Sequence, residues 1–200
     1  MSALPQLAVL ASGNGTNLQA ILDQVESGTL KASVRVVISD KKDAFALQRA
    51  KNAGVEGFTL FPKSYASREA HDLALVQLLR ERSIDWVILA GYMRILTSTF
   101  VRPYWGKIVN LHPALLPNYP GIDAIERAFK AGEKEVGVTV HFVDEGVDTG
   151  MVIAQEKIDV REGESLESLT QRVHEVEHRI FPQAIELVLE GKCRMKKREP

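Results

Sequence analysis

The stretch Leu7–Gly28, LAVLASGNGTNLQAILDQVESG, carries three local signals in order. LAVLAS is a short apolar run. NLQAILDQVESG places Leu18, Ile21, Leu22 and Val25 at helical spacing, and Gly28 supplies a stop. SGNGTN, Ser12 to Asn17, joins the two. A strand, a glycine-bearing turn and a helix in that order open a strand–helix–strand unit, whose strands pair in parallel through a right-handed crossover.

The same alternation continues outward. VRVVISD reads as a second strand and DAFALQRAKNAG as a helix closed by Gly54; GFTLF is a third strand. SREAHDLALVQLLRER is a helix that Ser67 can cap, with Leu75, Val76 and Leu79 on one face. DWVILAG is apolar at nearly every position, as a strand covered on both sides should be. KIVNLH is a further strand, and GIDAIERAFKAG a helix ended by Gly132. GVTVHFVD and MVIAQEKIDV then follow with little helix between them, which predicts an antiparallel pair. The last helix spans SLESLTQRVHEVEHRIFPQAIELVLEG, with a kink expected near Pro182. The prediction is an α/β fold: a Rossmann-like, mostly parallel sheet, helices on both faces, an antiparallel C-terminal portion, and one domain over residues 1–200.

Composition narrows the function classes. The net charge is −1 over 200 residues, so there is no global basic field for nucleic acid. The basic tail KCRMKKREP reads as a solvated chain end. A single cysteine, Cys193, excludes an intrachain disulfide and a cysteine-based metal cluster. No apolar run has the length of a membrane span and no export signal precedes the first strand, so a cytoplasmic protein without a membrane partner is expected. His174 and His178 are four apart, but the intervening EVE does not reproduce the zinc-protease motif; they read as surface or clamp residues, and no metal is predicted.

In open α/β sheets ligands sit beyond the carboxyl ends of the strands. That rule selects the loops after Ser12, Leu89 and His112, and the segment from Asp144 to Gly150. In SGNGTN, Gly13 and Gly15 permit a tight turn, and the N–H groups of Gly15, Thr16 and Asn17 would form a phosphate seat at a helix N-terminus. The same residues suit an ordinary capped turn equally well. A dinucleotide fingerprint needs a third glycine where Leu18 stands, and Asp40, at the end of the second strand, can imitate a ribose-binding acid or simply start a turn. In VNLHPALLPNYPG, Asn110 and His112 are two apart on a strand and project to one face. An amide can donate to a developing oxyanion and an imidazole can move a proton near neutral pH. Pro113, Pro117 and Pro120 stiffen the loop that follows; a cis bond at Leu116–Pro117 or Tyr119–Pro120 stays open, with trans the default. In DEGVDTG, Asp148 is the carboxylate suited to orient His112, whereas Asp144 and Glu145 read as a solvated turn and His141 as a packing residue. Met93, Ile95 and Leu96 in GYMRILT read as core or as the wall of an apolar slot with Arg94 at its mouth.

Taken together, SGNGTN, AGYMRIL, NLHPALLPNYPG and VDTG resemble the glycinamide ribonucleotide formyltransferases of purine synthesis, over nearly the whole chain. The resemblance implies a formyltransferase fold with a phosphate-binding N-terminal half and a folate-binding C-terminal half. It implies transfer of a formyl group from 10-formyltetrahydrofolate, as co-substrate, to glycinamide ribonucleotide, without a metal. Asn110, His112 and Asp148 match the family's catalytic trio. Gly15, Thr16, Asn17, Pro117 and Glu177 would meet the ribonucleotide. Arg68, Arg94, Ile95, Leu96, Glu145, Gly146 and Val147 would meet the folate. Asp123 stands where some members carry a histidine. The implied partners are small molecules, with a monomer or homodimer. A non-catalytic nucleotide-binding module would explain SGNGTN but leave the trio without a joint purpose. Formyltetrahydrofolate hydrolases share the core but carry a further N-terminal domain.

Overall fold

A computed structural model describes residues 3–195 of the chain. The strands are β1 (Gln6–Leu10), β2 (Ser33–Ser39), β3 (Glu56–Thr59), β4 (Trp86–Leu89), β5 (Ile108–His112), β6 (Glu135–Phe142) and β7 (Val152–Asp159). The helices are α1 (Thr16–Glu26), α2 (Phe45–Asn52), α3 (Arg68–Glu81), α4 (Ser98–Val101), α5 (Ala124–Lys130) and α6 (Leu166–Leu189). The seven strands form one sheet in the order β3-β2-β1-β4-β5-β6-β7. β1 to β5 pair in parallel; β6 and β7 run antiparallel. The expected α/β architecture is therefore present, including its antiparallel C-terminal portion.

The sheet separates two apolar cores. One holds Leu18 and Ile21 of α1, Ala46 and Ala50 of α2, and Val173, Phe181 and Ile185 of α6. The other holds Leu75 and Leu79 of α3 and Phe100 of α4. Alternate side chains of β1 divide between them, Leu7 and Val9 to the first and Ala8 and Leu10 to the second. Burial on both faces explains why the central strands read as near-continuous apolar runs.

Local signals set the helix limits. Ser67 caps α3, its hydroxyl accepting from the Ala70 N–H at 3.1 Å. α6 remains one helix through Pro182, which faces the core. The Leu116–Pro117 bond is cis, which corrects the trans expectation for that bond. The last five residues of the basic tail lie outside the described residues. Among the described residues no helix is long and apolar enough to cross a membrane.

β1 and β4 are neighbours although their sequence neighbours lie to either side, so the strand order reverses between them. A crevice opens beyond the strand ends at such a reversal. The loops after β1, β4 and β5 and the β6–β7 connection all meet on that side.

Candidate active site

β5 ends in Asn110 and His112, and β6 runs beside it in antiparallel register with Asn110 opposite His141. That register brings a second imidazole to the strand-end pair. The β6–β7 loop then returns Asp148 to the same point, its backbone in the left-handed region at φ 54°. Asp148 Oδ2 lies 3.4 Å from His112 Nδ1 and accepts from the Gly121 N–H at 2.8 Å. Asp148 Oδ1 lies 3.5 Å from His141 Nε2 and accepts from Asn110 Nδ2 at 3.4 Å. One carboxylate thus meets both strand-end residues, the imidazole opposite them and the proline-stiffened loop.

Hydrogen-bond chemistry fixes the ring orientations. His112 Nε2 is 2.8 Å from the Tyr119 carbonyl, which only accepts, so Nε2 carries a proton. Nδ1 faces Asp148 Oδ2. His141 Nδ1 likewise donates to the Phe142 carbonyl at 2.7 Å, and its Nε2 lies 3.1 Å from Asn110 Nδ2 and 3.5 Å from Asp148 Oδ1. His141 is therefore part of the cluster, which corrects its reading as a residue that only packs in the sheet. No local sequence pattern reveals it, because the contact follows from the register of β6 against β5.

Burial by itself pushes the Asp148 carboxyl up. The His141 hydrogen bond, the Gly121 N–H and the facing imidazoles outweigh it and hold the group below its ordinary value. Asp148 is accordingly a carboxylate in a half-buried site, with donors on both oxygens.

The cluster lines a cavity of about 460 Å3. Met93, Arg94, Ile95 and Leu96 form one wall, and Gly146, Val147 and Asp123 line it elsewhere. Leu96 is buried; Met93 and Ile95 are exposed at the opening. The run from Met93 to Leu96 is therefore cavity wall as well as core. Arg68, at the first turn of α3, donates to the Ile95 carbonyl at 2.7 Å and ties the rim in place. Glu145 stands apart from the cavity lining and pairs with Arg102 at 2.9 Å. Asp144 accepts from Thr149 Oγ1 at 2.6 Å and the Gly146 N–H at 3.0 Å, so it shapes the loop rather than standing in solvent.

The glycine loop forms a second part of the site. Gly15 adopts φ 74°, and a Cβ there would lie 2.8 Å from Ala46, so only glycine fits between α1 and α2. α1 begins at Thr16, and its first N–H groups have no acceptor within the helix. Arg49 braces this loop from α2, donating to the Asn14 carbonyl at 2.8 Å and the Asn14 side chain at 2.9 Å. No sequence pattern singles out Arg49, because the contact depends on the packing of α2 on α1. Asn17 Nδ2 crosses to α6 and donates to Glu177 Oε2 at 2.9 Å. His174 Nδ1 meets the same oxygen at 2.9 Å. Glu177 is buried, and its hydrogen bond raises the His174 pKa against the opposing effect of burial. His178 stacks on His174 at 6.5 Å and is pushed down, chiefly by burial. Among the described residues no group of three or more His, Cys, Asp or Glu is arranged to hold a metal ion. Pro117, beside the cis bond, lies outside the cavity lining.

Residues 5–185 match the family model described as formyl transferase. A phosphoribosylglycinamide formyltransferase of Bacillus subtilis is 42% identical over 186 residues, covering 93% of this chain and 95% of that protein. A trifunctional purine biosynthetic protein of Drosophila melanogaster is 45% identical over 188 residues, covering 93% of this chain; the chain spans 14% of that longer protein. A crystal structure of glycinamide ribonucleotide transformylase 1 from Symbiobacterium toebii superposes with a TM-score of 0.94 at 45% identity, covering 98% of this chain and 92% of that one.

Proposed function

The chain belongs to the formyl transferase family, and from that premise we propose that it passes the formyl group of 10-formyltetrahydrofolate to the amine of glycinamide ribonucleotide in purine biosynthesis. The observation that carries this reading is the meeting of Asn110, His112 and Asp148 at one end of a cavity whose other wall is apolar. An apolar slot suits the flat ring of a reduced folate, and the polar end suits acyl transfer.

The ribonucleotide amine attacks the formyl carbon and the carbonyl pair moves to oxygen. Asn110, held to Asp148 by one amide N–H, donates the other to that oxyanion. Such a donor is worth about 2.7–4 kcal/mol. Collapse of the intermediate breaks the bond from carbon to folate N10. The electron pair goes to N10, and the proton it takes is balanced by the one the amine loses. His112, facing Asp148, stabilises the developing charge or protonates N10, a contribution of about 10²–10⁴-fold. Holding both substrates end to end supplies much of the remainder. No covalent enzyme intermediate is required.

Gly15, Thr16 and Asn17 seat the ribonucleotide phosphate on the α1 N-terminus. Glu177 contacts the ribose; Asn17 and His174 both hold its Oε2 and leave Oε1 for the ligand. Arg94, Ile95, Leu96, Gly146 and Val147 hold the folate, with Arg68 at the rim; Pro117 acts by shaping the loop. The enzyme works as a monomer or homodimer. The decisive assay mixes both substrates and follows the folate absorbance change with product analysis. A stoichiometric formyl product supports the reading; folate turnover to free formate without it points to a hydrolase instead.

A further inference from the structure

A second cleft, of about 1130 Å3, opens beyond the ends of β1, β2 and β3, and shares only Arg94 with the lining of the active-site cavity. Its chemistry is unlike that of the first. Lys41, Lys42, Arg49, Lys63 and Arg94 line it against two carboxylates, Asp40 and Asp43. Among the described residues none of these cations forms an ion pair. Arg49 spends its donors on neutral partners, Asn14 and Gln19. The cleft therefore carries uncompensated positive charge on a chain whose net charge is −1. Two phenyl rings, Phe45 and Phe61, also line it and are 52% and 43% exposed. The Arg49 guanidinium lies 4.9 Å from the Phe45 ring centroid.

A third observation points to a hydroxyl-bearing ligand. Asp40 Oδ1 is buried with no hydrogen-bond partner among the described residues. An oxygen in that condition costs stability unless something donates to it. Asp40 directly follows β2, where doubly wound folds place the acid that accepts from a ribose hydroxyl. Its negative charge, after burial itself, pushes the buried Tyr92 hydroxyl up. The requirements are thus an aromatic ring, a hydroxyl donor and a multiply charged anion. Glycinamide ribonucleotide has no aromatic base, and the folate is assigned to the other cavity.

We propose that this cleft binds a nucleoside triphosphate, separately from both substrates of the reaction. The base lies against Phe45 and Phe61, a ribose hydroxyl donates to Asp40 Oδ1, and Lys41, Lys42 and Lys63 take the phosphates. One nucleotide rather than a dinucleotide is proposed, because Leu18 stands where the dinucleotide fingerprint has its third glycine, the one that packs helix closely on strand. Its contacts at Ser12 to Asn14 adjoin the phosphate seat, and Arg94 belongs to the folate wall as well, so an occupant touches both substrate loops.

The test is calorimetric titration of the whole chain with ATP, alone and again with glycinamide ribonucleotide and tetrahydrofolate at saturation. One ATP should bind in both conditions. Adenosine and tripolyphosphate should each bind at least about tenfold more weakly, a difference of about 1.4 kcal/mol. Phe61→Ala and the double variant Lys42→Glu/Lys63→Glu should each weaken ATP at least about tenfold while formyl transfer stays intact. Asp40→Asn should abolish any preference for ATP over its 2′,3′-dideoxy analogue. Lack of saturable ATP binding, displacement of ATP by either substrate, or full affinity in the variants overturns the proposal. Tripolyphosphate binding as well as ATP also overturns it, leaving only a cationic patch. None of these readouts needs turnover, so failure of the formyl-transfer reading would be seen separately.

Discussion

At the scale of single residues, Asp148 is the group on which the candidate centre depends. Its carboxyl lies below the ordinary range, so it contributes stability that is present above the unfolded value and lost as pH falls through the lower folded value. Asp148→Asn should therefore depress turnover and shift the acid limb of the pH–rate profile. An unchanged limb would remove Asp148 from the proton path. His112→Ala should lower kcat by about 10²–10⁴-fold while ribonucleotide binding, followed by calorimetry, survives. Equal loss of both would make His112 structural. His174 shows the opposite sign. Its pKa is raised, so its hold on Glu177 is complete below the unfolded histidine value and is lost as pH rises through the folded one. The KM for the ribonucleotide should rise over that interval and become pH-independent in His174→Ala. A slope that persists in the variant would place the titrating group elsewhere, with His178 the neighbouring candidate.

At the scale of elements, the β6–β7 connection works because glycine lets it close. A Cβ at Gly150 would collide with the Phe142 carbonyl oxygen, and the loop that carries Asp148 would have to move. Gly150→Ala should thus lower both the melting temperature and kcat, whereas a purely local defect would lower only one. The α3 cap offers a milder contrast. Ser67→Ala removes the acceptor of the Ala70 N–H and should cost about 1 kcal/mol in denaturant unfolding, with formyl transfer at permissive temperature retained. A loss of folate affinity beyond that would mean that the cap also positions Arg68, which follows it and grips the Ile95 carbonyl.

At the scale of the whole molecule, one face of the sheet rests on α6. Phe181 is fully buried in the core it shares with α1, and Phe181→Ala should destabilise the fold by about 3–5 kcal/mol, read from chemical denaturation. The sequence alone determined the strand–helix alternation, the antiparallel pair at the end and the residue types of the candidate trio. Each of those is a local pattern, whether periodicity, a cap or two side chains on one face of a strand. Asn17 and Glu177 stand 160 positions apart, and the packing of α6 on α1 joins them through one hydrogen bond. Tertiary structure alone decided that His141 faces Asn110, that Arg49 braces the glycine loop and that Glu145 turns to Arg102. Those contacts follow from sheet register and helix packing, which depend on the summed burial of distant residues. No short stretch of this chain encodes that sum, because free energy of packing belongs to the surfaces brought together and not to either one alone.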